Sequence, residues 1–284
     1  MSRRRAWNAD PAPLLRVEPG FRLADVDPDA TPGFPGRKID GLQALAAGAS
    51  QLAALQERLH AAGTAGDQRR ILLVLQAMDT AGKGGIVSHV VGAADPNGVR
   101  YAGFGAPTAE EREHDFLWRV EQKTPCAGQL GVFDRSHYED VLIQRVRAMA
   151  PPEEIERRYG AIVAFEERLA AEGTTLVKVM LHISKDEQRE RLGDRLDRPD
   201  KHWKFNPSDI DERLRWDEYQ DAYQVVFDRT STPQAPWFVV PANRKWYARL
   251  AVQQLLIEAL EDMHLAWPPA DFDVAEQRRR LAES

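Results

Sequence analysis

The chain has 284 residues, 43% of them apolar, which is enough for a sizeable core and excludes a wholly disordered polymer. Its 38 Lys and Arg against 44 Asp and Glu give a net charge of −6, so no molecule-wide cationic field serves nucleic acid, and any polyanion has to meet a local patch. A single cysteine, Cys126, excludes an internal disulfide framework; no apolar run reaches about 18 residues, and Arg3, Arg4 and Arg5 lead into no apolar segment, so the expectation is a cytoplasmic protein with no membrane partner.

Residues 8–39 are rich in Pro, Gly and Asp without a sustained period, which predicts that residues 1–39 form an extended arm lying over a domain. From 40 to 62, Leu42, Leu45, Leu52, Leu55 and Leu59 fit one side of an amphipathic helix. The unbroken run Ile71, Leu72, Leu73, Val74 and Leu75 fits a parallel strand covered on both faces. Further strands are expected to end at Phe104, Phe133, Ile183 and Val240, separated by helices over 110–121, 152–172, 208–230 and 244–264. This alternation predicts an α/β fold, a parallel sheet flanked by helices on both faces with right-handed crossovers. The expected organisation is one domain over 40–265 with a mobile lid near 185–215, followed by a solvated tail over 266–284 that contains Arg278, Arg279 and Arg280.

After the first strand the chain reads Ala77-Met78-Asp79-Thr80-Ala81-Gly82-Lys83-Gly84-Gly85 and enters a helix, the setting of a Walker A phosphate loop. Successive backbone amides from Thr80 to Gly85 can converge on phosphate oxygens, Lys83 adds positive charge, and Gly82, Gly84 and Gly85 allow close backbone approach. Against the pattern G-x-x-x-x-G-K-[ST], Ala77 stands for the first Gly and Gly84 for the hydroxyl residue that holds magnesium; Asp79 offers a carboxylate in its place. An ordinary glycine-rich turn with a solvent-facing lysine has the same composition.

The third strand ends in Phe133-Asp134-Arg135-Ser136-His137-Tyr138-Glu139-Asp140, with Asp134 in the Walker B position and Arg135 beside it to balance phosphate charge. Ligands of open parallel sheets lie beyond the carboxyl ends of the strands, which brings Lys83 and Asp134 to one crevice. The competing structural role for Asp134 is to cap a helix starting near His137.

Five blocks, AMDTAGKGG, FGAPTAEEREHDFLWR, FDRSHYEDVL, LHISKDEQRERLGDRLDRPDKHWKFNPSDIDERLRWDEY and TSTPQAPWFVVPANRKWYARLAV, resemble the polyphosphate kinase 2 family in its own order, over roughly residues 17–264. The likeness is greatest to the class accepting nucleoside mono- and diphosphates. The resemblance implies a P-loop kinase-like fold similar to thymidylate kinase, a helical lid over a polyphosphate channel, inorganic polyphosphate and nucleotides as substrates, Mg²⁺ as cofactor, and a homo-oligomer, dimer or tetramer. It places Asp79 and Lys83 as the Walker A pair and Asp134 and Arg135 as the Walker B pair, with Asp79 and Asp134 holding the metal. Many relatives have Asn at the position of Asp134 and Asp at that of Gly84.

On a helix, Arg191, Arg195 and Arg198 recur at i, i+4 and i+7 and make a cationic stripe suited to a repeating phosphate anion, joined by Lys201 and Lys204. A solvated helix laced with ion pairs reads the same way from the segment alone, and the resemblance favours phosphate binding. Arg195 is expected to reach the transferring group. His114 and His137 lack metal-ligand spacing, and no zinc site is expected. Trp203, Trp216, Trp237 and Trp246 read as packing residues, while Phe104, at a strand end, and Glu139 are candidate nucleotide contacts. The expected reaction is Mg²⁺-dependent transfer between polyphosphate and AMP, ADP, GMP or GDP. The rivals are an ATP-dependent nucleotide kinase and a non-catalytic nucleotide- or polyphosphate-binding regulator.

Overall fold

A computed structural model describes residues 7–284, so Arg3, Arg4 and Arg5 lie outside the described residues. In chain order the elements are α1 (Pro11–Leu15), α2 (Lys38–Thr64), β1 (Arg70–Ala77), α3 (Lys83–His89), β2 (Val99–Gly103), α4 (Trp118–Glu121), β3 (Leu130–Asp134), α5 (Ile143–Val146), α6 (Pro152–Ala171), β4 (Thr174–His182), α7 (Lys185–Asp197), α8 (Ser208–Leu214), α9 (Trp216–Thr230), β5 (Trp237–Pro241), α10 (Lys245–Asp262) and α11 (Val274–Ala282). Among the described residues one sheet has the order β2-β3-β1-β4-β5, every pairing parallel. The apolar run of β1 is wholly buried from Ile71 to Leu75, as a central strand covered on both faces requires. α10 packs on β1, β4 and β5 and against α2 and α3, while α6 packs on β4 and against α9.

α2 and α10 approach closely because Gly41 lies under the Trp246 ring, where a Cβ would come within 2.3 Å of a ring carbon. The arm buries Leu15, Val17, Leu23 and Phe34 in the core. Its Val17 amide donates to Trp237 O at 2.8 Å, so it covers the free edge of β5.

Two helical expectations are corrected. The stretch 110–121 is not one helix: it holds a 3₁₀ turn at Glu111–Glu113, an extended His114, and the short α4. The Asp115 carboxylate accepts from Leu117 N at 3.0 Å, offering the backbone a local partner that restarts the chain. The stretch 208–230 is broken at Arg215 (φ −97°, ψ 23°) into α8 and α9. Within the expected tail, α11 forms but buries none of its residues.

Between β4 and the turn after β3 lies a network that pattern reading does not reveal. Lys178, inside β4 and fully buried, donates to Glu166 Oε2 at 2.6 Å, Tyr138 Oη at 3.0 Å and Thr230 O at 2.7 Å. Burial opposes the Glu166 charge, and Lys178 with His137 overcomes it, holding that carboxyl below the ordinary range. This fixes the turn after β3 to α6, β4 and the end of α9.

Candidate active site

The loop leaving β1 turns through two left-handed residues, Thr80 at φ 66° and Gly82 at φ 118°, before α3 begins at Lys83. At Gly82 any side chain would be strained. At Gly84 a Cβ would meet nothing within 4 Å, so the space over the loop is open. Lys83 is partly buried and its Nζ lies 3.3 Å from Ala77 O, leaving donors to spare.

β3 is the immediate neighbour of β1, with Leu75 opposite Asp134, and this register delivers the second cluster beside the loop. Arg135, itself left-handed at φ 64°, donates through Nη2 to Asp79 Oδ1 at 2.9 Å. Burial works against its charge, but Glu139 and Asp79 hold the guanidinium above its ordinary value. Asp134 accepts a long bond from Tyr101 Oη at 3.4 Å. It does not cap the following turn: that turn is the 3₁₀ segment His137–Asp140, and Ser136 caps it by accepting from Tyr138 N at 3.2 Å. Glu139 faces the Gln76 amide, whose nitrogen, with the amide oriented to satisfy both ends, donates to Glu139 Oε1 at 3.0 Å. Burial pushes the Glu139 carboxyl up, against the pull of Arg135 and Lys83.

Asp79, Arg135 and Glu139 line a cleft of about 150 Å³ with Asn206, Asp209, Glu212, Tyr219 and Tyr223. The loop therefore meets acidic groups of α8 and phenolic groups of α9 that sequence reading missed; the i, i+3 spacing of Asp209 and Glu212 on α8 is the available signal. Burial and Asp79 raise the Asp209 carboxyl, while Arg195 and Arg135 lower it. A larger cavity, about 560 Å³, lies under the arm near the starting ends of β4 and β5 and holds none of these groups.

The arginine stripe does not stand as a single open face. Arg191 is 4% exposed, and its guanidinium is spent on carbonyls: Nη1 donates to Thr80 O at 3.0 Å and Ala81 O at 3.1 Å, Nη2 to Ala242 O at 2.7 Å and Asn243 O at 2.9 Å. It offers no free donor to a phosphate, because the base of α7 is tied to the loop after β1 and to the residues that follow β5. Arg195 is partly exposed and donates to Lys204 O at 3.1 Å and Asp209 Oδ2 at 3.3 Å. Arg198 falls just beyond α7, exposed and paired with Asp200 at 2.8 Å. Lys201 shares Asp200 at 3.2 Å, and Lys204 sits 4.8 Å over the Trp203 ring.

Two aromatic expectations also change. Phe104 is 8% exposed, edge-on to Phe133 with centroids 4.9 Å apart and under the Arg119 guanidinium, so its ring belongs to the core and is not presented to a nucleobase. Trp216, Trp237 and Trp246 are buried, but Trp203 is 78% exposed on the lid.

Among the described residues no cluster of three or more His, Cys, Asp or Glu could hold a metal. Asp79 and Asp134, at the ends of neighbouring strands, suit Mg²⁺ in the manner it usually takes: one or two carboxylates, with waters and substrate phosphates completing the shell. No helix among the described residues is long and apolar enough to cross a membrane.

The chain is similar to known proteins over most of its length. A crystal structure of polyphosphate kinase 2 from Arthrobacter aurescens TC1 superimposes with a TM-score of 0.96 at 61% identity, covering 98% of each chain. An AMP/ADP-polyphosphate phosphotransferase of Meiothermus ruber is 48% identical over 255 residues, 89% of this chain and 94% of that one. An ADP-polyphosphate phosphotransferase of Rhodopseudomonas palustris is 41% identical over 77% of this chain and 78% of its own length. The profile of the polyphosphate kinase 2 family matches residues 37–267, a span holding the loop, the β3 cluster and the lid, and the chain belongs to that family.

Proposed function

We propose that the protein transfers the terminal phosphoryl group of inorganic polyphosphate to a nucleoside mono- or diphosphate, AMP, ADP, GMP or GDP, by direct in-line displacement, reversibly and with Mg²⁺. The observation that carries this reading is the register of β1 against β3, which sets Asp79 and Lys83 beside Asp134 and Arg135 at the carboxyl ends of two strands, under a lid bearing Arg195. Phosphoryl transfer needs little covalent chemistry from a protein; positioning and charge neutralisation suffice. Lys83 and the amides from Thr80 to Gly85 cradle phosphate oxygens, Arg135 holds Asp79 in place and faces the transferring group, and Glu139 accepts hydrogen bonds from the acceptor. Asp79 and Asp134 would hold Mg²⁺, which when bound supplies charge neutralisation for the phosphates. Arg195, Arg198, Lys201 and Lys204 serve the polyphosphate chain after exchanging their present partners for phosphate, and the closed lid excludes water, which would otherwise hydrolyse the donor.

The test is incubation of purified protein with Mg²⁺, polyphosphate and each of AMP, ADP, GMP and GDP, following di- and triphosphate formation, in wild type and Lys83→Ala. The lysine's recorded contact is one carbonyl, so the variant should fold normally and lose at least about a hundredfold in turnover. A folded Lys83→Ala with near-wild-type turnover would remove the loop from the mechanism.

A further inference from the structure

The first half of α7 is fastened to the phosphate loop and the second half is not. Gln188, Arg191 and Leu192 are buried, whereas every residue from Arg195 to Asp200 is partly or fully exposed. Gln188 Nε2 donates to Asp79 O at 3.2 Å, and the four carbonyl bonds of Arg191 join Thr80 and Ala81 to Ala242 and Asn243 beyond β5. The Glu187 carboxylate accepts from Arg191 Nε at 2.6 Å and supplies the counter-charge. Ser184 caps the helix start and accepts from Asn243 Nδ2 at 3.3 Å, so the far anchor is itself tied to α7.

We infer that Arg191 is a positioning residue: its guanidinium, with Gln188, makes the phosphate loop and the root of the lid one body, and the lid moves only beyond Leu192. The chemistry supports this in three steps. Thr80 holds a left-handed conformation unusual for a residue with a branched Cβ, so something outside the loop has to stabilise it, and three successive pinned carbonyls do so, that of Asp79 by Gln188 and those of Thr80 and Ala81 by Arg191. A planar five-donor fork can serve four carbonyls on two separate segments and still pair with Glu187, five bonds that the three donors of an ammonium cannot all replace. Beyond the anchor, Gly193 weakens the helix and meets nothing within 4 Å of a built Cβ, so the chain there is free of packing constraints. The arginine that the stripe pattern assigns to phosphate thus acts through the loop and not on substrate.

The inference rests on residues 77–85 being the phosphate loop, and the experiment keeps the two apart. Amide hydrogen exchange is measured on the substrate-free protein for wild type, Arg191→Met, Arg191→Lys and Arg195→Gln. Both Arg191 variants should exchange about tenfold faster or more across residues 78–86 with β1 and β4 protection unchanged, and Arg195→Gln should leave 78–86 at the wild-type rate. In steady state both Arg191 variants should lose about a hundredfold in kcat, with KM for either substrate changed less than about threefold and the same loss for tripolyphosphate and long chains. Arg191→Lys keeps the charge and most of the volume, so it remains informative if Arg191→Met fails to fold. Wild-type exchange of the loop in a folded Arg191→Lys, or a loss confined to KM that grows with chain length, would overturn the inference and return Arg191 to the phosphate chain. If instead Lys83→Ala kept full turnover while the loop loosened as expected, the catalytic reading of the loop would fail and the positioning contact would stand.

Discussion

In its proposed role Glu139 would serve the acceptor at a cost to the fold. Its carboxyl is raised by burial, so folding favours its protonated form, and the ionised form opposes stability at every pH above that raised value. The sign follows: between the unfolded carboxyl's value of 4.5 and the raised folded one, the folded state holds more protons, and stability rises as pH falls through that window. Glu139→Gln removes the effect and should raise Tm at pH 7 by about 1–3 °C while lowering acceptor affinity and abolishing the acid limb that Glu139 imposes on kcat/KM. Scanning calorimetry and pH-rate profiles check both halves; a variant less stable at pH 7, or one with an unchanged acid limb, would contradict the assignment. The loop residues were legible in sequence because the signal is local: a glycine needed at φ 118° and a lysine after it stand in one contiguous stretch. Phe104 was not, since a place at a strand end does not say which way the ring turns, and Phe133 decided it.

The lid shows what periodicity gives and what it withholds. Helical spacing correctly groups Arg191 and Arg195 on one face of α7, but the face is buried at its root and emerges only toward Arg195, a difference set by the Thr80, Ala81, Ala242 and Asn243 carbonyls and absent from the pattern. Breaks at His114 and Arg215 are absent from the pattern for a related reason, because side-chain capping by Asp115 and the non-helical Arg215 backbone are local events that the spacing of apolar residues does not register. In the present arrangement Arg195 is held by Asp209 and Arg198 by Asp200, carboxylates that a phosphate chain would replace. Replacing Arg195 and Arg198 together by Gln should therefore raise KM for long-chain polyphosphate more than for tripolyphosphate, and wild-type affinity should weaken with added salt. Initial rates over several chain lengths at two ionic strengths measure this; equal losses at every length would confine these arginines to the reacting phosphate or the nucleotide.

At the scale of the molecule, the parallel sheet and its alternating helices follow from buried apolar runs, and the same topology brings β1 and β3 together. The network between β4 and the turn after β3 gives no such signal, for Lys178 is a single cation inside the apolar strand Thr174–His182 and its partner Glu166 lies on a helix. Lys178→Met takes away the ammonium that faces the buried Glu166 carboxylate, leaving it to Tyr138 and His137, and should cost about 3–5 kcal/mol in urea denaturation, whereas Lys178→Met with Glu166→Leu should recover most of it; losses that simply add would show that the pair is not coupled. The central claim concerns the phosphoryl donor. It is tested most directly by supplying the wild-type protein and Mg²⁺ with ADP, either uniformly ³²P-labelled polyphosphate and no ATP, or γ-labelled ATP with unlabelled AMP, and following label into the nucleotide products. Label should pass from polyphosphate to ADP at a rate well above any transfer from ATP to AMP, and transfer from ATP alone, with none from polyphosphate, would contradict the claim.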